Sequence, residues 1–310
     1  MKAVVIGLGS IGSRRLRDIA GLQVEIGAIC DPDHRALTNA CPPTAETQLY
    51  DDPEVCLAEH ASGNMVLVCS PTSTHFPLAM KAIDNGCAAL LVEKPPSLST
   101  ADAEYMADAA RTLGTRAAVA FNWRFHPAIG ELKNRLDRHP MRTVHLVGID
   151  DISLWPNWNS GDNYMLDPKE GGVVLTSTVH SLDLLLYLMG PAQQVSCSLE
   201  SLLATSDVHS RSIFMMLHES GMSMAFNDWD VNQTSVISIT SPLMALTVDL
   251  RAGAYLDKMD DMHRDMMKAF VGYANGLPAG ELSTFDDGLN VMRLVDAGRR
   301  AASERRYVDV

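Results

Sequence analysis

Gly7-Leu8-Gly9-Ser10-Ile11-Gly12 decides the fold. The β-prone run Lys2–Ile6 precedes it, and an amphipathic stretch from about Ser13 to Ala20 follows it. GxGxxG between a strand and a helix is the phosphate-binding opening of a βαβ unit. Gly7 permits the tight turn, Gly9 lets backbone approach a pyrophosphate, and Gly12 lets the helix pack close to the strand. Leu8, Ser10 and Ile11 complete the loop, and the helix amino end offers N–H groups and a positive dipole to the phosphates. A second strand, Val24 to Cys30, ends at Asp31, 19 positions after Gly12. That is close to the spacing of about 20 at which a carboxylate binds the adenosine ribose hydroxyls. Asp31, seconded by Asp33, favours NAD because it repels a 2′-phosphate. Arg35 is the kind of residue that accepts a 2′-phosphate, which keeps NADP open.

The same alternation continues outward. Leu49-Tyr50 is a weak strand and Pro53 to Glu59 a short helix. Met65 to Cys69 is a strand that runs into Ser70-Pro71-Thr72-Ser73-Thr74-His75. Phe76 to Asn85 reads as a helix closed by Gly86, and Thr100 to Leu113 as a helix closed by Gly114. Between them, Ala88-Ala89-Leu90-Leu91-Val92 is a short apolar strand ending in Glu93-Lys94-Pro95-Pro96. Proline cannot continue a ladder, so Glu93 and Lys94 fall at the strand's carboxyl end. Ala117 to Ala120 leads into Phe121-Asn122-Trp123-Arg124-Phe125-His126-Pro127. Strands alternating with helices predict a doubly wound parallel sheet, an α/β Rossmann domain over residues 1–121. Gly7, Asp31, Ser70, Lys94 and Asn122 then share the sheet edge where ligands bind.

Beyond Pro127 the pattern changes. A helix over Ala128 to Arg138 is followed by strand-like runs at Thr143–Ile149, Gln194–Leu199, Ser212–Leu217, Met222–Phe226, Val236–Thr240 and Ala245–Leu250. Their β-branched composition and hairpin-length links predict an α+β domain, residues 122–310, on a mostly antiparallel open sheet. Two helices close the chain. One spans about Leu256 to Tyr273; the other has Thr284 as N-cap with Asp287 at N3 and runs to about Ala302, in a position to pack back on the first domain. The methionines at 259, 262, 266 and 267 read as core packing.

Two stretches of the second half carry possible chemistry. Trp155 to Tyr164 is dense in aromatic and amide groups. It reads either as a packed surface loop or as a sugar-binding loop, with Trp158, Asn163 and Tyr164 against a pyranose. Gly171-Gly172 to Met189 is an apolar helix stopped by Gly190 and Pro191. Gly172, Thr176, His180, Asp183 and Tyr187 form one polar stripe on it, the pattern of a wet cavity wall, although a lone buried histidine is more often structural. His180 and Asp183 alone are half a metal site, and no metal is expected.

Bulk properties narrow the function. The chain has 310 residues, 46% hydrophobic and 20% charged, enough for two ordered domains. A formal net charge of −13 argues against nucleic acid and anionic membranes as partners. No apolar run reaches the roughly 20 residues of a membrane span, and the amino terminus lacks a signal-peptide layout. Six cysteines without a CxxC pair read as reduced thiols in the cytoplasm.

Taken together, Gly7–Gly12, Ser70-Pro71-Thr72 with His75, Glu93-Lys94-Pro95, Asn122-Trp123-Arg124-Phe125, and Gly171-Gly172 followed by His180 and Asp183 resemble the Gfo/Idh/MocA oxidoreductase family over the full length. The resemblance implies NAD(P)-linked chemistry on sugars or their derivatives, and the Ser-Ile-Gly loop and the Trp-rich loop look like members of surface-sugar and nucleotide-sugar pathways. It implies that Lys94 touches both nicotinamide and the reacting oxygen, that Glu93, Ser70, Pro71, Thr72, His75 and Asn122 frame the cofactor, and that His180, Thr176 and Arg124 face the substrate. It also implies association through the open sheet face, as a homodimer or homotetramer. One position departs from the pattern: where the family has an aspartate three or four residues before the histidine, this chain has Ser177 and Thr176. Hydride exchange between nicotinamide and a hydroxyl or keto carbon is the leading expectation, with His180 as acid or base and Lys94 stabilising alkoxide. A dinucleotide-binding sensor or assembly subunit without turnover, and a reductase of imines or non-sugar ketones, are the alternatives.

Overall fold

The computed structural model describes residues 1–40, 46–136, 142–152, 164–203, 207–230, 233–242, 244–255 and 258–310. They fall into two compact units, residues 1–121 with 263–289 and residues 122–262 with 290–310.

The first unit begins with β1 (Ala3–Ile6), α1 (Ser10–Gly21), β2 (Ile26–Cys30), α2 (His34–Asn39), β3 (Gln48–Tyr50) and α3 (Pro53–His60). It continues through β4 (Met65–Val68), α4 (His75–Asp84), β5 (Ala89–Val92), α5 (Thr100–Leu113) and β6 (Arg116–Val119). The six strands pair in parallel in the order β3-β2-β1-β4-β5-β6. Every residue of β1, β2, β4 and β5 is buried, as a sheet covered on both faces requires. The strand order turns back at β1 and β4, the switch point beside which a crevice opens at the carboxyl ends. Local signals set the helix ends: Asp52 caps α3, Ser99 caps α5, and Gly114 closes α5 at φ 74°.

Among the boundaries that differ from the sequence reading, two in the first unit have a clear local reason. Helix α1 starts at Ser10, because the Ser13 amide already bonds the Gly9 carbonyl at 2.9 Å, so half of the glycine motif is helical. Strand β2 starts at Ile26, because Gln23 adopts φ 60° and Val24 N–H turns back to the Ile19 carbonyl. The returning segment 263–289 guards the β6 edge. Val119 N–H bonds the Ser283 carbonyl at 2.8 Å, and the Arg116 guanidinium donates to the carbonyls of Tyr273 and Leu277. An unpaired edge would otherwise invite another strand. The expected cap forms in full: Thr284 N–H donates to Asp287 Oδ2, and Asp287 N–H donates back to Thr284 Oγ1.

The second unit holds α6 (Pro127–Leu136), β7 (Arg142–Asp151), α7 (Val179–Met189), β8 (Ala192–Glu200), β9 (Arg211–His218), β10 (Gly221–Asp230), β11 (Thr234–Ser241) and β12 (Met244–Asp249). After α8 (Met259–Ala274) and α9 (Phe285–Glu304), both cut by the unit boundary, β13 (Val308–Asp309) ends the chain. The sheet runs β12-β11-β7-β10-β9-β8-β13 among the described residues. All its pairs are antiparallel except β7 with β10, which are parallel. The chain reaches β10 from β7 only after crossing the sheet through α7, β8 and β9, and a crossover of that length permits a parallel pair.

Helix α7 packs on β7 and β10. The segment Pro168–Met189 is long and apolar enough to cross a membrane, but 78% of its apolar window is buried inside the fold, as in a core helix. It is not one regular helix. Residues Val174–Thr178 form a π-turn, entered from Gly171 at φ 88° and Gly172 at φ 59°. The extra residue per turn rotates everything before Val179 relative to α7, so the stripe drawn at α-helical spacing does not form one face. Its lower members are interior: Asp183 is fully buried, and Tyr187 lies under Arg124 and Lys133.

Candidate functional site

In the first unit the glycine loop has the shape that a dinucleotide demands. A Cβ on Gly12 would fall 1.9 Å from the Gly7 carbonyl oxygen, so helix and turn touch backbone to backbone. Gly7 holds φ 87°, and a Cβ there would meet the Cys69–Ser70 peptide at 2.8 Å. Gly9 is the opposite case: it is exposed, and a Cβ would have nothing within 4 Å. That open space lies at the start of α1, whose amino end has no side-chain cap and no acidic residue in its first turn. Uncapped N–H groups facing open space fit an anion.

Asp31 sits at the carboxyl end of β2 beside this loop. Its Oδ2 accepts from Leu8 N–H at 2.6 Å and its Oδ1 from Asp33 N–H at 2.8 Å. A carboxylate offers about four lone-pair sites, so two remain for ribose hydroxyls. Arg35 donates its backbone N–H to Asp33 at the start of α2.

The Ser70–His75 and Glu93–Pro95 turns follow β4 and β5, which are neighbours in the sheet. His75 is buried and bridges them, Nδ1 2.7 Å from the Pro95 carbonyl and Nε2 2.9 Å from the Ser70 carbonyl. In this structure the ring therefore holds two loops together. Ser70 Oγ lies 2.6 Å from Thr74 Oγ1, Thr72 is buried, and Pro71 is exposed. Glu93 is buried too, and the guanidinium of Arg15 on α1 grips its Oε1 from Nε at 2.8 Å and Nη2 at 2.7 Å. The Arg15 Nη1 lies 3.0 Å from His263 Nδ1. Lys94, next in the chain, is half-buried. Burial of Cys69 behind the glycine turn, with the Glu93 charge adding to it, raises its thiol pKa, so it is no nucleophile.

Arg15 was not among the candidates, yet the sequence carried its signal. Gly12, Arg15, Leu16 and Ile19 are the buried face of α1. A guanidinium on that face implies a buried carboxylate opposite it.

In the second unit Asn122 and Arg124 lie on the 3-10 turn Asn122–Phe125, and both are buried. Arg124 Nε and Nη2 bond the two oxygens of Asp183 at 2.9 and 2.6 Å, a bidentate pair. Those donors serve the fold, so the reading of Arg124 as a substrate ligand meets a guanidinium already committed to a carboxylate. His180 and Thr176 are half-buried. Between them Ser177 is buried, donates to Asp150 Oδ2 of β7 at 2.5 Å, and accepts from Trp229 Nε1 at 3.0 Å. Thr178 is fully buried, with its hydroxyl 2.7 Å from Ser212 Oγ. Trp158 and Asn163 lie outside the described residues, as does the side chain of Tyr164; the backbone of Tyr164 opens a 3-10 turn, Tyr164–Leu166.

The comparisons with known proteins agree with both halves. Residues 1–121 match the family model for the oxidoreductase family with an NAD-binding Rossmann fold, and residues 142–234 match the GFO/IDH/MocA C-terminal domain. The D-glucoside 3-dehydrogenase of Escherichia coli is 24% identical over 194 residues, 61% of this chain and 54% of that protein. The myo-inositol 2-dehydrogenase of Thermotoga maritima is 29% identical over 191 residues, 61% of this chain and 55% of that protein. The chain thus spans about half the length of these relatives. Among solved structures, GenD2 from gentamicin A biosynthesis in complex with NAD superposes with a TM-score of 0.86 at 19% identity, over 100% of this chain and 96% of that one. With a family model matched in each half and the fold shared end to end, the chain belongs to the Gfo/Idh/MocA oxidoreductase family.

Proposed function

We propose that this protein is an NAD-dependent dehydrogenase or reductase that moves hydride between nicotinamide and a hydroxyl or keto carbon of a sugar or sugar derivative. The observation that carries the reading is the open space at Gly9 beside an uncapped helix amino end, with the Asp31 carboxylate next to it. Gly9, Ser10, Ile11 and Gly12 are assigned to the pyrophosphate and Asp31 to the adenosine ribose, a carboxylate that disfavours a 2′-phosphate. When bound, NAD supplies the hydride chemistry. The chain supplies charge and proton transfer. Lys94 is assigned to stabilise the alkoxide, held by a neighbour, Glu93, that Arg15 fixes in place. His180 is assigned to take the hydroxyl proton or return it, since imidazole titrates near neutrality. The names of the two enzyme relatives, one acting on glucosides and one on myo-inositol, support a ring polyol as substrate class.

We assign the protein to the cytoplasm, supported by the five described cysteines being free thiols. We also propose a homo-oligomer built on the sheet face away from α7. By strand register that face shows rows Val236–Val147–Phe226–Ile213, then Met224–Met215, then Met222–Leu217. Ser198, Ser196 and Gln194 of β8 bound these rows on one side, and Asp249 of β12 with His145 and Thr143 of β7 on the other. An apolar centre with a polar rim is the anatomy of an interface.

The test is a screen of aldoses, glucosides and inositols with NAD, followed by reduced-nicotinamide absorbance, on the wild type and on Lys94→Ala and His180→Ala. Each variant should lose about 10²-fold or more in kcat while binding NADH as the wild type does. Unchanged turnover in both refutes the assignment, and failure of the wild type to bind NADH refutes the reading.

A further inference from the structure

The helix that carries His180 has no carboxylate of its own on the preceding turn, where Thr176 and Ser177 stand. One reaches that turn from elsewhere in the same unit. Asp150 of β7 and Trp229 of β10 are direct cross-strand partners, and both bond Ser177. The indole N–H can only donate, so the Ser177 oxygen accepts from Trp229, and the Ser177 hydroxyl donates to Asp150 Oδ2. At 2.5 Å this is a short, charge-assisted bond. Its place is the π-turn Val174–Thr178, directly before the turn that presents His180. A π-turn inside a helix breaks the regular ladder and is commonly found at functional sites.

We propose that Asp150, held by Ser177 and Trp229, is a positioning residue for proton transfer at His180: it supplies from β7 the negative charge that the helix itself lacks. Ser177 is the third residue before His180, so the carboxylate it holds stands at the π-turn that leads directly into the turn presenting the imidazole. When His180 takes a proton it becomes a cation, and a carboxylate at that range offsets the charge. The other charged groups around this stretch are largely compensated. Asp183 of α7 is neutralised by Arg124. Arg211 and Asp228 pair with each other on the far sheet face, and Lys133 lies over the Tyr187 ring. Arg251 stands 3.8 Å from Asp150 Oδ1, beyond hydrogen-bond reach, and burial lowers its pKa against the pull of Asp150 and Asp249. Asp150 thus holds Ser177 with one oxygen and ion-pairs Arg251 with the other.

This inference rests on His180 being the proton-transfer group, and the experiment separates the two. Three variants are compared with the wild type. Asp150→Asn keeps shape and a hydrogen-bond acceptor but removes the charge. Asp150→Glu restores the charge, and Ser177→Ala cuts the link. The ring titration of His180, followed by NMR and assigned by its loss in His180→Gln, needs no substrate. It should move to lower pH in Asp150→Asn and return toward the wild type in Asp150→Glu. With an active polyol, Asp150→Asn should lose about tenfold or more in kcat, since one unit of titration is a factor of ten, with KM for NAD unchanged. Ser177→Ala should fall between the wild type and Asp150→Asn. A titration in Asp150→Asn that matches the wild type overturns the proposal whether or not turnover is found. Absence of turnover in the wild type overturns the functional reading alone and leaves the titration result standing.

Discussion

Two glycines of one motif should fail in opposite ways when each becomes alanine. At Gly12 the new Cβ falls 1.9 Å from the Gly7 oxygen and 2.8 Å from its carbon, both backbone atoms that cannot swing aside. Helix α1 must retreat from the turn by more than about 1 Å, and overpacking of that kind costs about 1–3 kcal/mol. The better helix propensity of alanine returns up to about 1 kcal/mol. The net loss of about 1–2 kcal/mol lowers Tm by roughly 1.5–3 °C at this chain size. At Gly9 the backbone already has φ −59°, which alanine adopts freely, and the Cβ meets no atom within 4 Å. Stability should hold to within a few tenths of a kcal/mol, apart from the small penalty of alanine at an N-cap. NADH binding is where this variant fails, because the methyl group occupies the space assigned to the pyrophosphate. Loss of one or two hydrogen bonds to a charged group, about 1.5–3 kcal/mol each, weakens Kd by at least about tenfold. Thermal melting and a fluorescence titration with NADH measure both quantities on the same samples. A Gly9→Ala protein that melts normally and binds NADH within about threefold of wild type would refute the placement of the phosphates.

Asp183→Asn should be among the most damaging single changes in the second unit. It leaves the buried Arg124 guanidinium without its counter-ion, a loss of about 3–5 kcal/mol by denaturant unfolding. The paired replacement Arg124→Met with Asp183→Leu should recover most of that loss, and a double variant as unstable as the single one would contradict this reading of the pair. Met224→Lys, at the centre of the apolar sheet face, should shift the protein toward monomer in sedimentation while its melting temperature changes by only a few degrees. An unaltered sedimentation profile would move the proposed interface elsewhere.

The parts of this structure legible in sequence were those where one local rule dominates. Apolar tetrads between turn residues gave the buried parallel strands, and Gly114 and the Thr284–Asp287 box gave helix ends. The glycine loop and Asp31 were legible because they answer to a fixed ligand shape. What was missed depends on contacts distant in sequence. The π-turn at Val174–Thr178 leaves no compositional trace, since its register follows from Ser177 and Thr178 bonding Asp150, Trp229 and Ser212 on three different strands. The parallel pairing of β7 and β10 is a choice of topology that hairpin-length links elsewhere do not reveal. Asp150 and Arg15 were nonetheless readable. Period-two alternation from the buried Val144 and Leu146 places Asp150 on the inner face of β7, and the helical period places Arg15 on the inner face of α1.

The two side chains assigned to the chemistry share a mode of support. Lys94 follows Glu93, which Arg15 holds in a buried ion pair; His180 lies one turn before Asp183, which Arg124 holds in another. A buried ion pair is a poor device for stability, because desolvating both charges costs about as much as their attraction returns, and apolar residues of similar volume often do better. What such a pair does supply is direction. In the Arg124–Asp183 pair two parallel N–H···O bonds fix guanidinium and carboxylate to one plane and one register, and in the Arg15–Glu93 pair Nε and Nη2 converge on the single oxygen Oε1. A lysine on a four-carbon stem and an imidazole on a helix with a π-turn are both prone to wander. Each is anchored through its own backbone to a neighbour that cannot move without exposing an uncompensated charge. The side chains assigned to the chemistry are half-buried, while Glu93 and Asp183 beside them are buried and ion-paired. Preorganisation of this kind keeps a reacting group in place without burying it, which an apolar anchor of equal volume would do with less angular precision.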